Sequence, residues 1–154
     1  MQTRAEAIDA IRELPAQLRE LVAGLSAEQL TTAYNAPEWT IVQNVHHLAD
    51  SHMMCYRRFK LILTTENLPF INYDQDLFAE MPDARQADVE ISLRFLEGMH
   101  GRWAIMMDHL SEKEWKKAQL RNGQPVSLER MARLYAQHGR DHLDQIQAVI
   151  DAMP

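Results

Sequence analysis

Two histidines stand four residues apart in "LYAQHGRDHLDQI", residues 134–146, and a second stretch, "NVHHLADSHM" at residues 44–53, offers His46, His47, Asp50 and His52. Neutral imidazole is a common ligand for zinc and similar divalent ions, and it leaves the ion's positive charge intact for chemistry. At about 100° per residue, His138 and His142 lie on one helix face with Leu128, Met131, Tyr135, Ile146, Val149 and Met153. A buried aliphatic side chain there would stabilise the fold by ~1.5–3 kcal/mol. An imidazole in that stripe needs a polar partner, and residues four apart can turn both rings toward one point, the half-site geometry of H-x-x-x-H.

A third ligand must come from elsewhere, and one of the histidines on the helix after Thr40 could complete a three-histidine site. The apolar stripe of that helix is Ile41, Val45, Leu48, His52, Tyr56, Phe59 and Leu63, which puts His52 in mid-stripe and His46 and His47 on opposite flanks. Periodicity leaves the choice among the three open. Three neutral imidazoles from two helices keep one coordination position free, the arrangement of catalytic rather than structural metal.

The elements that must hold these residues read as all-α. A first helix runs from Thr3 to Gly24 with Pro15 as a candidate break, and Ser26 starts a short turn. Thr40, with Gln43 three residues on, caps a helix to Thr64. A long connection, "NLPFINYDQDLFAEMPDAR", precedes a helix from Asp88 to His109 that buries Ile91, Phe95, Met99, Trp103 and Met106. Ser111 caps a further turn, "RNGQP" makes a tight bend, and Ser127 caps a last helix to Asp151. Four long helices in a chain of 154 residues predict a single-domain, up-down four-helix bundle over residues 1–154, with its long loop between the second and third long helices.

Composition narrows the partners. The net charge of −6 comes with no basic patch interleaved with aromatics, so nucleic acid is not expected. The charged N-terminus lacks a secretory pattern and no apolar run spans a bilayer, so a cytoplasmic protein without membrane contact is expected. The single cysteine, Cys55, forms no intrachain disulfide and reads as core. "EGMH", residues 97–100, is one E-x-x-H, but a di-iron bundle needs a second and two further glutamates. The nine methionines fall on helical faces as core filler.

"WTIVQNVHHLADSHMMCYRRFKLILTTENLPFINYD", "HGRW" and "SLERMARLYAQHGRDHLDQI" resemble the YfiT-like branch of the DinB family, over residues 39–146. That resemblance implies one divalent metal, zinc or nickel, held by the second histidine of "HHL", His47, together with His138 and His142. Where many relatives carry further histidines beside and after the last ligand, this chain has Asp141 and Gln145, which puts any transfer of substrate preference in doubt. Members are similar to metal-dependent hydrolases, and several to transferases that join a low-molecular-weight thiol, such as bacillithiol or mycothiol, to an electrophilic small molecule. The resemblance also implies pairing as a homodimer.

Within that reading the transferase is preferred, although nothing in the residue pattern separates water from a thiol as nucleophile. Asp50, one turn after His47, is a candidate to orient a ligand histidine through its second nitrogen. Arg58 and Arg102 are candidates for an acidic cosubstrate, because a guanidinium forks onto carboxylates. The competing readings are a hydrolase at the same site and a metal-free bundle that acts as an interaction module.

Overall fold

The computed structural model describes residues 2–66 and 68–154; Met1, and Asn67 at the head of the expected long connection, lie outside the described residues. Four long helices carry the chain: α1 (Arg4–Leu21), α3 (Ile41–Thr64), α5 (Glu90–Asp108) and α7 (Leu128–Asp151). Short helices α2 (Ala27–Thr31), α4 (Gln75–Ala79) and α6 (Glu112–Trp115) sit in the connections. So does a hairpin of β1 (Ala118–Arg121) and β2 (Gln124–Ser127).

Local sequence explains the boundaries. Thr3, Ser26, Thr40 and Ser111 each form a capping box with Glu6, Gln29, Gln43 and Glu114, so hydroxyl and N3 side chain reciprocally satisfy free backbone donors. Ser127 caps α7 through the Arg130 N–H. Pro15 is buried inside α1 and does not end it. The bend at "RNGQP" is a two-residue hairpin loop in which Asn122 and Gly123 take φ of 51° and 75°. Two consecutive positive φ values define a type I′ turn, which asparagine and glycine tolerate best.

Helix α1 packs against α5 and α7, and α3 packs against the same two, so α1 and α3 occupy opposite corners. His46 meets Ser92 and His52 meets His100, which makes α3 and α5 parallel. Arg4 pairs with Glu129 and Leu14 lies over Gly139, which makes α1 and α7 parallel. Asn44 meets His142 while His52 meets Tyr135, so α3 and α7 are antiparallel. The all-α four-helix bundle stands as read from the sequence, but the helices run up, down, down, up. Alternation stops at α3 because residues 68–89 return along the bundle before α5 begins.

Two clusters form the core, one around Phe59, Trp103 and Trp115 and one around Leu18, Ile41, Leu48, Leu96 and Ile146. The face of α5 differs from expectation. Ser92, Leu93, Leu96, Met99, His100 and Trp103 point inward, whereas Ile91 and Phe95 are 68% and 43% exposed. Apolar residues occur on both sides of this helix, and the outer set of Ile91, Phe95 and Ile105 also contains Arg102 at helical spacing.

Gly139 lets α1 approach α7: a Cβ there would stand 2.8 Å from Leu14 Cδ2, inside contact distance. Overpacking of this kind costs ~1–3 kcal/mol, against a gain of ~1 kcal/mol in helix propensity. Gly139→Ala is therefore expected to lose about 1 kcal/mol, a fall of roughly 2–4 °C in Tm by calorimetry. An unchanged or higher Tm would show that Leu14 moves aside freely.

Candidate metal centre

The stacking on α7 and the antiparallel approach of α3 bring His47, His138 and His142 together, one ligand nitrogen from each lying within 4.8 Å of the others. His138 Nε2 is 3.2 Å from His47 Nε2 and 3.2 Å from His142 Nε2. Two nitrogens each about 2.05 Å from one ion at a tetrahedral angle stand roughly 3.3 Å apart, so these separations fit one shared zinc-sized ion. Trp39, from the segment before α3, covers the pair of rings nearest it: its centroid is 4.8 Å from His47, and it stacks on His142 at 6.2 Å and 14°.

Partners on the far ring nitrogens orient two of the three. His142 Nδ1–H donates to Asn44 Oδ1 at 2.8 Å. Asn44 is itself fixed, because its amide nitrogen donates to the Thr40 carbonyl at 3.0 Å. This arrangement leaves the His142 Nε2 lone pair directed at the cluster. His138 Nδ1 lies 3.2 Å from His52 Nε2, and His52 continues to His100. Burial, reinforced by neighbouring imidazole charge, pushes His47, His138 and His142 down to about 4, so all three are uncharged at physiological pH, as ligation requires.

The structure separates the neighbours that periodicity left open. His46 is occupied on both sides: Nε2–H donates to the Gln86 carbonyl at 3.0 Å, and Nδ1 accepts from the Ser92 hydroxyl at 2.7 Å. It ties the long connection to α3 and α5. Asp50 differs from the expectation made for it. Among the described residues it makes no hydrogen bond to His47, His138 or His142; burial and then Asp83 raise its pKa, and His46 opposes them. The side chains that do contact ring nitrogens of the cluster are Asn44 and His52. Cys55 is fully buried, and burial pushes its thiol well up, in keeping with a core residue.

Two cavities meet at His138. One, of about 420 Å³, has Glu38, Asp76 and Asp141 on its walls beside Trp39 and His142. The other, of about 280 Å³, has Arg58, Arg121, Tyr73, Tyr135 and Ser51 on its walls. Both guanidinium groups lie over the Phe70 ring, at 4.4 and 5.2 Å, and among the described residues neither is paired with a carboxylate. Arg58 is thus placed beside the cluster, whereas Arg102 is exposed on the outer face of α5, away from both cavities. Sequence reasoning missed Arg121 and Asn44, and met His100 only as half of an E-x-x-H pair. Asn44 was detectable, being three residues before His47 and eleven before Cys55 on the inward face; Arg121 reaches the site only through the hairpin.

A family model described as the DinB superfamily matches residues 10–146. This chain belongs to the DinB superfamily. A protein of Geobacillus thermodenitrificans, named "putative metal-dependent hydrolase", is 40% identical over 146 residues, covering 94% of this chain and 82% of that one. YfiT of Bacillus subtilis, similarly named, is 37% identical over 141 residues, covering 90% and 79%. A solved structure of that YfiT superposes with a TM-score of 0.90 at 35% identity, covering 95% and 85%. It is described as having "an unusual four-helix bundle topology", which accords with the up, down, down, up order found here. No helix among the described residues is long and apolar enough to cross a membrane.

The buried imidazoles link stability to pH. Unfolded histidine titrates near 6.5, the folded groups near 4, so between these values the unfolded chain binds more protons. The stability they contribute is complete above about 6.5 and is lost as pH falls toward 4, by up to ~1.4 kcal/mol per pH unit for each histidine. Urea unfolding of chelator-treated protein should show midpoints that drop steeply between pH 6.5 and 4.5. A flat profile across that range would mean the rings are hydrated in solution.

Proposed function

We propose that the chain is a metal-dependent enzyme in which His47, His138 and His142 hold one divalent ion, zinc or nickel, and that it transfers a low-molecular-weight thiol to an electrophilic small molecule. The observation that carries this reading is the pair of Nε2 separations of 3.2 Å among neutral imidazoles, two of which have their second nitrogen engaged by another side chain. A bound ion supplies positive charge that turns a coordinating thiol or water into a nucleophile near neutral pH.

The chain's own side chains do the rest. Neutral histidines would leave the ion's charge undiminished, and His47, His138 and His142 as its three protein ligands would leave room for a reactant to coordinate. Arg58 and Arg121 favour an anionic cosubstrate, since each guanidinium offers a fork of donors and neither is neutralised by a carboxylate among the described residues. A carboxylate-bearing thiol held there lies beside His138, which with Gln75 lines both cavities. The electrophile then occupies the side walled by Trp39, Asp76 and Asp141. Trp39 limits water on that side by covering His47 and His142.

A second reading, hydrolysis by activated water at the same site, is favoured by the names of the relatives in Geobacillus and Bacillus. The two part on one observation: a hydrolase consumes its substrate without added thiol, a transferase does not.

Metal content by plasma mass spectrometry, on protein purified without a histidine tag, is expected to give about one equivalent for the wild type. His47→Ala, His138→Ala and His142→Ala should each lose it while keeping a helical spectrum by circular dichroism. Negligible metal in wild type that zinc or nickel cannot restore would leave a bundle with merely structural histidines. For the basic cavity, Arg58→Met should raise KM for an anionic cosubstrate roughly tenfold, about 1.4 kcal/mol, with kcat less affected. An equal loss in kcat with KM unchanged would instead place Arg58 at the reacting atoms.

A further inference from the structure

Behind the three-histidine cluster lies a row of contacts that ends on the backbone of α1. His138 Nδ1 is 3.2 Å from His52 Nε2, His52 Nδ1 is 3.0 Å from His100 Nε2, and His100 Nδ1 is 2.5 Å from the Ile11 carbonyl oxygen. His52 and His100 are fully buried and meet edge to edge with nearly parallel ring planes, centroids 4.9 Å apart at 8°, with Trp103 edge-on to both. The Ile11 carbonyl is available because the residue four positions on is Pro15, which has no N–H to donate back to it.

We propose that this proline-freed carbonyl sets the direction of the whole row, making His52 and His100 positioning residues that hold His138 with its Nε2 lone pair facing the ion. The proposal rests on the metal reading given above, and it follows from donor and acceptor counts. A carbonyl oxygen only accepts, so His100 must carry its proton on Nδ1. A neutral His100 then has a bare Nε2 and accepts from His52 Nδ1–H. His52 in turn has a bare Nε2 and accepts from His138 Nδ1–H, which leaves His138 Nε2 without a proton. Reversing any member puts two lone pairs face to face, and reversing the whole row directs the His100 lone pair at a carbonyl 2.5 Å away. His52 and His100 lie wholly out of solvent, where uncharged rings are favoured.

The same count explains why a cation belongs among the three ligands. His142 Nε2 is bare because its Nδ1–H goes to Asn44, and His138 Nε2 is bare because of the row, yet the two atoms stand 3.2 Å apart. No hydrogen bond joins them in the neutral state. A shared positive ion turns that repulsion into two coordinate bonds.

Histidine ring nitrogens report their protonation directly by long-range 1H–15N correlation spectroscopy. In metal-free wild type, His138, His52 and His100 are expected to show protonated Nδ1 and bare Nε2. A proton on Nε2 of any of the three would overturn the proposal without need of a variant. His100→Leu removes the link to Ile11 and should lower zinc affinity about 10–100-fold, with the His138 tautomer no longer fixed. His100→Gln, whose amide can donate to the Ile11 carbonyl and accept from His52, should recover most of the affinity and the tautomer. Zinc affinity within twofold of wild type in His100→Leu, with the His138 tautomer unchanged, would reduce the row to packing while leaving the metal reading intact. Absence of zinc binding in wild type would end both.

Discussion

A neutral imidazole has one donor and one acceptor, and inside a protein both must be met. That constraint organises the interior of this bundle. His46, His52, His100 and His142 are buried, and each has named partners at its ring nitrogens, from Ser92 and Gln86 through Asn44 to the Ile11 carbonyl. An unmet polar atom at such depth costs ~1–3 kcal/mol, so few arrangements of the surrounding helices are tolerable. The three Nε2 atoms of His47, His138 and His142 are the exception: they face one another rather than separate partners, the arrangement on which the proposed metal reading rests.

The order of the helices answers to this need. Parallel α3 and α5 bring His52 level with His100, and antiparallel α7 brings His138 and His142 level with His47 and Asn44. An alternating bundle would reverse α5 and carry His100 away from His52. The return of the chain along residues 68–89 is therefore more than a connection, since it is what allows α3 and α5 to point the same way. Its residues Phe70, Tyr73 and Gln75 then form walls of the basic cavity. Helix α1 supplies no side chain to the cluster, but through Pro15 it supplies the one backbone acceptor at the end of the histidine row.

The sequence makes part of this visible, for physical reasons that differ by residue. His138 and His142 are legible because a four-residue spacing on a strongly amphipathic helix fixes a shared face, and the serine and threonine caps are legible because capping is local. His47 is not separable from His46 by periodicity, since both are buried; only the Ser92 and Gln86 contacts, made at long range, tell them apart. The inward face of α5 was hidden because Ile91 and Phe95 mimic a core stripe while the true one contains Ser92 and His100. His100 drew notice only as half of an E-x-x-H pair, yet Glu97 serves Arg19 at the surface and the histidine faces the other way. Asp50 was chosen by its spacing from His47, but its neighbours are His46 and Asp83, and Asn44, one turn earlier, has the better direction.

Packing alone does not account for these residues. Leucine or methionine at the positions of His52, His100 and His142 would be buried without needing partners, and would keep their contribution when the pH falls. Histidine at the same positions makes stability depend on pH and on long-range hydrogen bonds to Ile11 and Asn44. Departures from local optimum of this kind concentrate where a fold serves a site. Here they converge on one point, His138, where the row of imidazoles ends, where the two ligand contacts of 3.2 Å begin, and where an acidic and a basic cavity meet. A merely structural cluster has no need to sit between two oppositely charged openings, and that placement supports the reading of this cluster as a site proposed above.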